Sequence, residues 1–316
     1  MSMLKPWKRR SVLLAGIALA GASLHNIAQQ GNSRRRLNPS HQSGSDATTG
    51  GAHDRPLRIG WSPWADAEVV SLMAATLIKE ALNQPVERVM ADIGIQYQSL
   101  ARGDLDLMLM AWLPGTHREY WARVRDQVRD FGPMYTGRLG LVVPEYVPET
   151  DLFSIAQLSE PEIAARFDNR IQGIDPGSAL NQATLQALKT YSLESMQLVA
   201  ASSAVMAAVV AQAIADQRWL IATSWTPHWM FARYQLRFLA DPQRVFGGTE
   251  QIHAIGRSEL DTTVPAVAAF LNRFHLPRTD LDGLLLQAEQ STAQTAVTAY
   301  LEQNPARVRY WTTGLI

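Results

Sequence analysis

The chain contains no cysteine among its 316 residues. That absence excludes a disulfide scaffold, a thiol nucleophile, iron–sulfur clusters, Cys-based zinc sites and lipid attachment through an N-terminal cysteine. Net charge is also absent, with 29 Lys+Arg against 29 Asp+Glu. General nucleic-acid binding requires a basic surface that displaces counterions, and none is indicated here. No HExxH, GxSxG or P-loop pattern occurs. No nucleophile–base pair or metal set is legible either, so the sequence points to no enzyme, no cofactor and no metal. What is present is a 47% hydrophobic chain, long enough for two compact domains of ordinary composition.

The single long apolar segment lies at the N-terminus. Residues 1–28 have the three parts of a secretory signal: Lys5, Lys8, Arg9 and Arg10, then the apolar stretch Ser11 to Leu24, with Ala20-Gly21-Ala22 as a small-residue cleavage site. The stretch is shorter than the roughly 20 residues of a membrane span. A periplasmic protein is expected, or a membrane-tethered one if the signal is retained; Arg9-Arg10 also permits twin-arginine export. Residues 29–56 are polar and small and read as a disordered linker, with Arg34, Arg35 and Arg36 solvated.

From Leu57 onward strands alternate with helices. Expected strands are 57–61, 86–91, 105–111 and 140–143, then 170–174, 196–200, 219–223 and 252–256. Expected helices include 66–83 with Asp66 as N-cap, 95–102 stopped by Gly103, 116–129, 179–191 and 203–216, followed by a helical tail from 263. Alternation of this kind implies an α/β protein with parallel sheets. Two such series followed by a return imply two lobes, 57–143 plus 250–316 and 144–249. The chain crosses near 143–147 and 247–252, and such lobes close on ligands by hinge motion.

Nine tryptophans are present, and three share one local context: Trp61-Ser62-Pro63-Trp64, Trp112-Leu113-Pro114 and Trp225-Thr226-Pro227. Each follows an expected strand, and ligands of open α/β sheets bind beyond the carboxyl ends of strands. Any one of these tryptophans taken singly reads as core; three at equivalent strand ends suggest indole faces converging on one mouth. Such faces suit sugar rings by stacking, or a quaternary ammonium by cation–π attraction of roughly 0.5–2 kcal/mol per ring. In Gly173-Ile174-Asp175-Pro176-Gly177-Ser178-Ala179-Leu180 a strand turns into a helix start. Its first N–H groups, at Ala179 and Leu180, form an anion site unless plain capping by Ser178 is their whole role. His117, five residues after Trp112, is a candidate donor to an anion. Asp104 and Asp106 face one side of a strand with nothing legible to pair with them.

At these residues the sequence resembles the glycine betaine/choline substrate-binding proteins of ABC transporters. The resemblance covers about 57–316 and is carried by AWLPGTH at 111–117, LGLVVPEY at 139–146, IQGIDPGSAL at 171–180 and ASSAVM at 201–206. SWTPHWMFARYQLRFLADP at 224–242 and FGGTEQIHAIGR at 246–257 complete it. It implies a two-lobe periplasmic-binding-protein fold of type II with the ligand in the interdomain cleft. It further implies an ammonium cage of Trp64, Trp112 and Trp225, with Trp61 the competing choice for Trp64, and a carboxylate site of His117, Ala179 and Leu180. Ala-Leu stands where relatives often have Gly-Ile, which backbone contacts tolerate, and Ser224 stands where Gly is common, a mild change unless the residue has positive φ. Asp66 is a further candidate, able to accept a choline hydroxyl proton if its side chain enters the cleft. His228 and Trp229 are expected behind the cage. The implied function is capture of glycine betaine and delivery to an ABC permease of the inner membrane by a monomer. The alternatives are choline or carnitine binding and a tethered ligand sensor.

Overall fold

The computed structural model describes residues 55–316; the expected signal, and the expected linker up to residue 54, lie outside the described residues. Nine strands form one sheet among them: β1 (Leu57–Trp61), β2 (Val86–Met90), β3 (Leu107–Leu113), β4 (Val128–Pro144), β5 (Arg170–Gln172), β6 (Gln197–Val199), β7 (Ala222–Thr226), β8 (Leu236–Phe238) and β9 (Thr249–Arg257). The order is β2-β1-β3-β9-β4-β7-β5-β6, with β8 on β4. All seven residues of β3 are buried, in keeping with its unbroken apolar run.

The sheet is mixed, which corrects the expectation of parallel sheets. β1 runs parallel to β2 and β3, and β5 parallel to β6 and β7. β9 is antiparallel to β3 and β4, and β4 antiparallel to β7 and β8. The reversed strands are the ones that join the two βα series. β4 pairs with β9 from Val128 to Arg138, then with β7 from Arg138 to Val142. Its partner changes at one residue, and β9 brings the chain back alongside it, with Arg138 opposite Thr249.

Local chemistry explains most helix limits. Helix Ala65–Glu80 buries Val69, Val70, Met73 and Leu77 on one stripe. Helix Ile93–Arg102 ends at Gly103, whose φ of 76° is the left-handed C-cap that glycine adopts freely. Two expectations fail for tertiary reasons. The helix expected over 116–129 stops at Val124, because Val128, Arg129 and Asp130 pair with Arg257, Gly256 and Ile255 of β9. Asp66 does not cap its helix: Trp64 holds the N-cap position without a side-chain bond to the helix amides, and Asp66 is buried. The helical tail packs back on the first series, helix Ala293–Gln303 lying against helix Ala65–Glu80.

Asp106 is also not the unpaired group expected. It lies just before β3 with its side chain wholly buried, and accepts from Arg55 (2.6 and 3.0 Å), the Arg58 amide (2.8 Å) and Arg257 Nε (2.8 Å). It ties the segment before β1, β1 itself and the end of β9 to one carboxylate. Burial alone raises its pKa, but the hydrogen bonds from Arg55 and Arg58 and their charges hold it below the usual carboxylate value. A depressed acid contributes stability that is present above its unfolded pKa and is lost as pH falls through its folded one. Asp106→Asn is expected to cost about 2–3 kcal/mol at pH 7 in chemical denaturation. The penalty shrinks in titrations carried below pH 4.

Candidate functional site

One cavity, with about 340 Å³ of empty space, is lined by Trp64, Asp66, Trp112, His117, Ala179, Leu180 and Trp225, together with Thr116, Leu139, Ile174 and Ser178. All six residues expected to form the primary site, and the further candidate Asp66, therefore meet at one place. They come from both halves of the sheet. Trp64, Asp66, Trp112 and His117 sit around β1 and β3; Ala179, Leu180 and Trp225 sit around β5 and β7.

The tryptophans do not follow their strands as the sequence suggested. Trp112 lies inside β3, and β7 runs 222–226 rather than 219–223, so Trp225 lies inside it. The peptide bonds Leu113–Pro114 and Thr226–Pro227, just beyond these two indoles, are both cis. Trp61 is outside the cavity lining and lies beneath the Arg88 guanidinium, 4.2 Å from its ring centroid. His228 packs edge-on against Trp225, ring centroids 4.7 Å apart, and is not among the residues that line the cavity.

Each indole is positioned by a specific neighbour. Trp225 Nε1 donates to Asp66 Oδ1 at 3.0 Å, and the Tyr135 hydroxyl donates to Asp66 Oδ2 at 2.9 Å. Trp64 Nε1 donates to Asp175 Oδ2 at 2.8 Å. The six-membered ring of Trp112 approaches Gly137 of β4 closely: a Cβ there would come within 2.6 Å of Trp112 Cζ3 and 2.7 Å of the Thr226 carbonyl. Glycine is therefore required there by close approach rather than by φ.

Burial raises the Asp66 pKa, and the bonds from Tyr135 and Trp225 offset only part of that rise. Both its oxygens are occupied. Ser224 is buried in β7 without positive φ, so its Cβ is accommodated.

The polar end of the cavity is built on helix Ala179–Thr190. Ser178 caps it, its hydroxyl accepting from the Asn181 amide at 3.1 Å. The amides of Ala179 and Leu180 have no partner among the described residues. Capping and an anion site are therefore compatible: the cap serves the third amide and leaves the first two. His117 is buried and lines the same cavity. Its Nδ1 accepts from the Trp112 amide at 3.1 Å, with the Tyr97 hydroxyl 3.3 Å away. That assigns the ring proton to Nε2, the nitrogen left free to donate. Burial pulls its pKa down to about 3, so it is a neutral donor at physiological pH. Glu250 accepts from the amides of Gly115 (2.9 Å) and Thr116 (2.9 and 3.1 Å) and from the Thr116 hydroxyl, fastening the loop that carries His117 to β9.

Sequence reasoning missed Tyr135, Gly137, Leu139, Thr116 and Asp175. The first three lie on β4, most of which gave no strand signal. Thr116 and Asp175 lie in AWLPGTH and IQGIDPGSAL and were legible as parts of those runs, without a role. Among the described residues no three His, Cys, Asp or Glu side chains gather as a metal site. No helix of the described residues is long and apolar enough to cross a membrane.

Residues 55–303 match the family described as the substrate binding domain of ABC-type glycine betaine transport systems. The glycine betaine/carnitine transport binding protein GbuC of Listeria monocytogenes is 32% identical over 160 residues, 50% of this chain and 53% of that protein. The chain thus matches about half the length of that relative. Lactococcal OpuAC, solved closed with glycine betaine, matches at TM-score 0.75 and 28% identity, over 82% of this chain and 100% of that one. The glycine betaine/L-proline-binding protein ProX of Borrelia burgdorferi matches at TM-score 0.76 and 27% identity, over 82% and 97%. A choline binding protein solved with choline has TM-score 0.75 at 22% identity and shares the fold.

Two measurements check this geometry. Gly137→Ala should lower stability by about 1–3 kcal/mol through overpacking, with a changed near-ultraviolet tryptophan dichroism. His117 and His228 are both buried with pKa values near 3. The unfolded chain binds their protons below about pH 6.5 while the folded chain does not, so stability falls as pH drops from 6.5 toward 3. His117→Asn, which keeps an acceptor for the Trp112 amide, should make that decline in melting temperature shallower.

Proposed function

The chain belongs to the family of substrate-binding domains of ABC-type glycine betaine transport systems, and from that premise we propose that it captures glycine betaine and delivers it to an ABC permease. The observation that carries the reading is the pairing, in one small cavity, of three indoles with two unpartnered helix-start amides and a neutral imidazole donor. A trimethylammonium has a diffuse charge and no N–H to satisfy, so ring faces suit it better than carboxylates. A carboxylate suits the other end, where Ala179 N–H, Leu180 N–H and His117 Nε2–H converge beside the positive end of a helix. Trp64, Trp112 and Trp225 are the ammonium cage in this reading, and His117, Ala179 and Leu180 the carboxylate site.

Glycine betaine is favoured over choline by the state of Asp66. Its two oxygens already accept from Trp225 and Tyr135, so a choline hydroxyl would have to share an oxygen that is already engaged. Choline's single hydroxyl also leaves most of the anion donors unpaired, at roughly 1–3 kcal/mol each in a closed cleft. In this reading the two lobes are 57–143 plus 250–316 and 144–249, and they pivot about the crossings near 143–147 and 247–252, the second beside Gly247 with its φ of 71°. The protein works as an exported, periplasmic monomer released from its N-terminal signal.

Calorimetric titration tests this. Glycine betaine should bind at least about tenfold tighter than choline, equivalent to ~1.4 kcal/mol. Trp225→Ala should weaken both ligands, because it removes a ring face, whereas His117→Ala should weaken betaine more than choline. Equal or tighter choline binding by the unmodified protein overturns the assignment. Undiminished affinity in Trp225→Ala overturns the cage.

A further inference from the structure

Two of the three indoles hand their N–H to a carboxylate on the other half of the sheet: Trp225, in β7, to Asp66, and Trp64, before helix Ala65–Glu80, to Asp175, after β5. The first bond is sealed inside the core, Asp66 being 1% exposed and Trp225 3%. The second lies at the rim, where both partners are half-buried. We propose that Asp175 is a positioning residue that latches the Trp64 wall of the cage when the two halves meet, and so governs how slowly ligand leaves. The inference rests on the quaternary-ammonium reading above and assigns Asp175 a role outside the cage and the anion site.

The turn that carries Asp175 is rigid. Its own carbonyl accepts from the Ser178 amide at 2.9 Å. Ile174, the residue before it, is bonded both ways to the Asn181 side chain, at 3.1 and 2.9 Å. Asp175 is thus fixed to the helix start whose free amides face the cavity. Trp64 belongs to the opposite half, takes an extended N-cap conformation with φ −110° and ψ 145°, and has no cap bond of its own. Asp175 is the one hydrogen-bond partner of its indole among the described residues. The bond therefore joins the wall that meets the cation to the body that meets the anion.

Separation of the halves removes Asp175 from reach of Trp64 and leaves the indole free to turn. A bond that exists only in the closed form adds nothing to the first encounter and slows departure, as differential binding to one of two states requires. A neutral acceptor in place of the carboxylate keeps the geometry and weakens the bond.

The test uses the full chain, with stopped-flow tryptophan fluorescence and glycine betaine as probe. Asp175→Ala should raise the release rate roughly tenfold with the arrival rate nearly unchanged. Asp175→Asn, which retains an acceptor oxygen, should fall between it and the unmodified chain. A second arm needs no ligand: solvent exchange of the Trp64 indole N–H, followed by NMR and assigned with Trp64→Phe, should be faster in Asp175→Ala. An unchanged release rate together with unchanged indole exchange overturns the latch. So does an effect confined to arrival, or an Asp175→Asn variant as impaired as Asp175→Ala. If the unmodified chain does not bind glycine betaine, the functional reading fails, and the ligand-free exchange arm still decides the latch.

Discussion

β4 has to satisfy its backbone against two different sets of neighbours, and the site depends on how it does so. Over its first eleven residues it is paired to β9, and over the rest to β7 and β8, with Arg138 common to both. The three groups that surround the indoles from below are placed by that strand alone. Tyr135 holds the buried Asp66, Gly137 leaves the space that the Trp112 ring fills, and Leu139 lies opposite Trp225 in the register. A single continuous strand thus delivers parts of one cavity from two halves of a sheet. β9, clamped through Glu250 to the loop before helix Arg118–Val124, returns the chain beside it.

The cavity solves a problem of buried polarity. Indole N–H groups brought out of water each need an acceptor, or they cost the desolvation of an unmade bond. Trp225 and Trp64 find carboxylates behind or beside the rings, which leaves the ring faces clear. The same economy governs His117, whose Nδ1 is taken up by the Trp112 amide and whose burial keeps it neutral. Apart from Asp66, whose oxygens are both engaged, the lining offers ring faces, neutral donors and a helix end. That combination suits a zwitterion better than a simple cation or anion.

The resemblance in the sequence lay where function and local chemistry coincide. TPHWMF, AWLPGTH and IDPGSAL each hold one part of the cavity in a short run, so their residue types were enough to mark it. Pattern also found the strands whose burial is two-sided, such as β3, and the helices whose apolar stripes are regular, such as Ala65–Glu80. It failed on Val128–Thr136, where Gly132, Pro133 and charged residues carry no strand signature, and it read a helix through Asp126–Arg129. It misread Asp66 as a cap, because an acid at a helix start has the same appearance whether it faces the helix amides or the core.

The sequence by itself determined the α/β class, marked Trp112 and Trp225 together with Trp64 or Trp61 as candidate indoles, and located the helix start at Ala179, because each rests on residues close together in the chain. Tertiary structure alone decided the mixed order of the sheet, the partners of Asp66, Asp106 and Asp175, and the exclusion of Trp61 from the cavity. Those features depend on groups 27 to 159 positions apart. Chain proximity supplies no information on such pairs; the register of β4 with β7 and β9 and the crossing between the two halves bring them together.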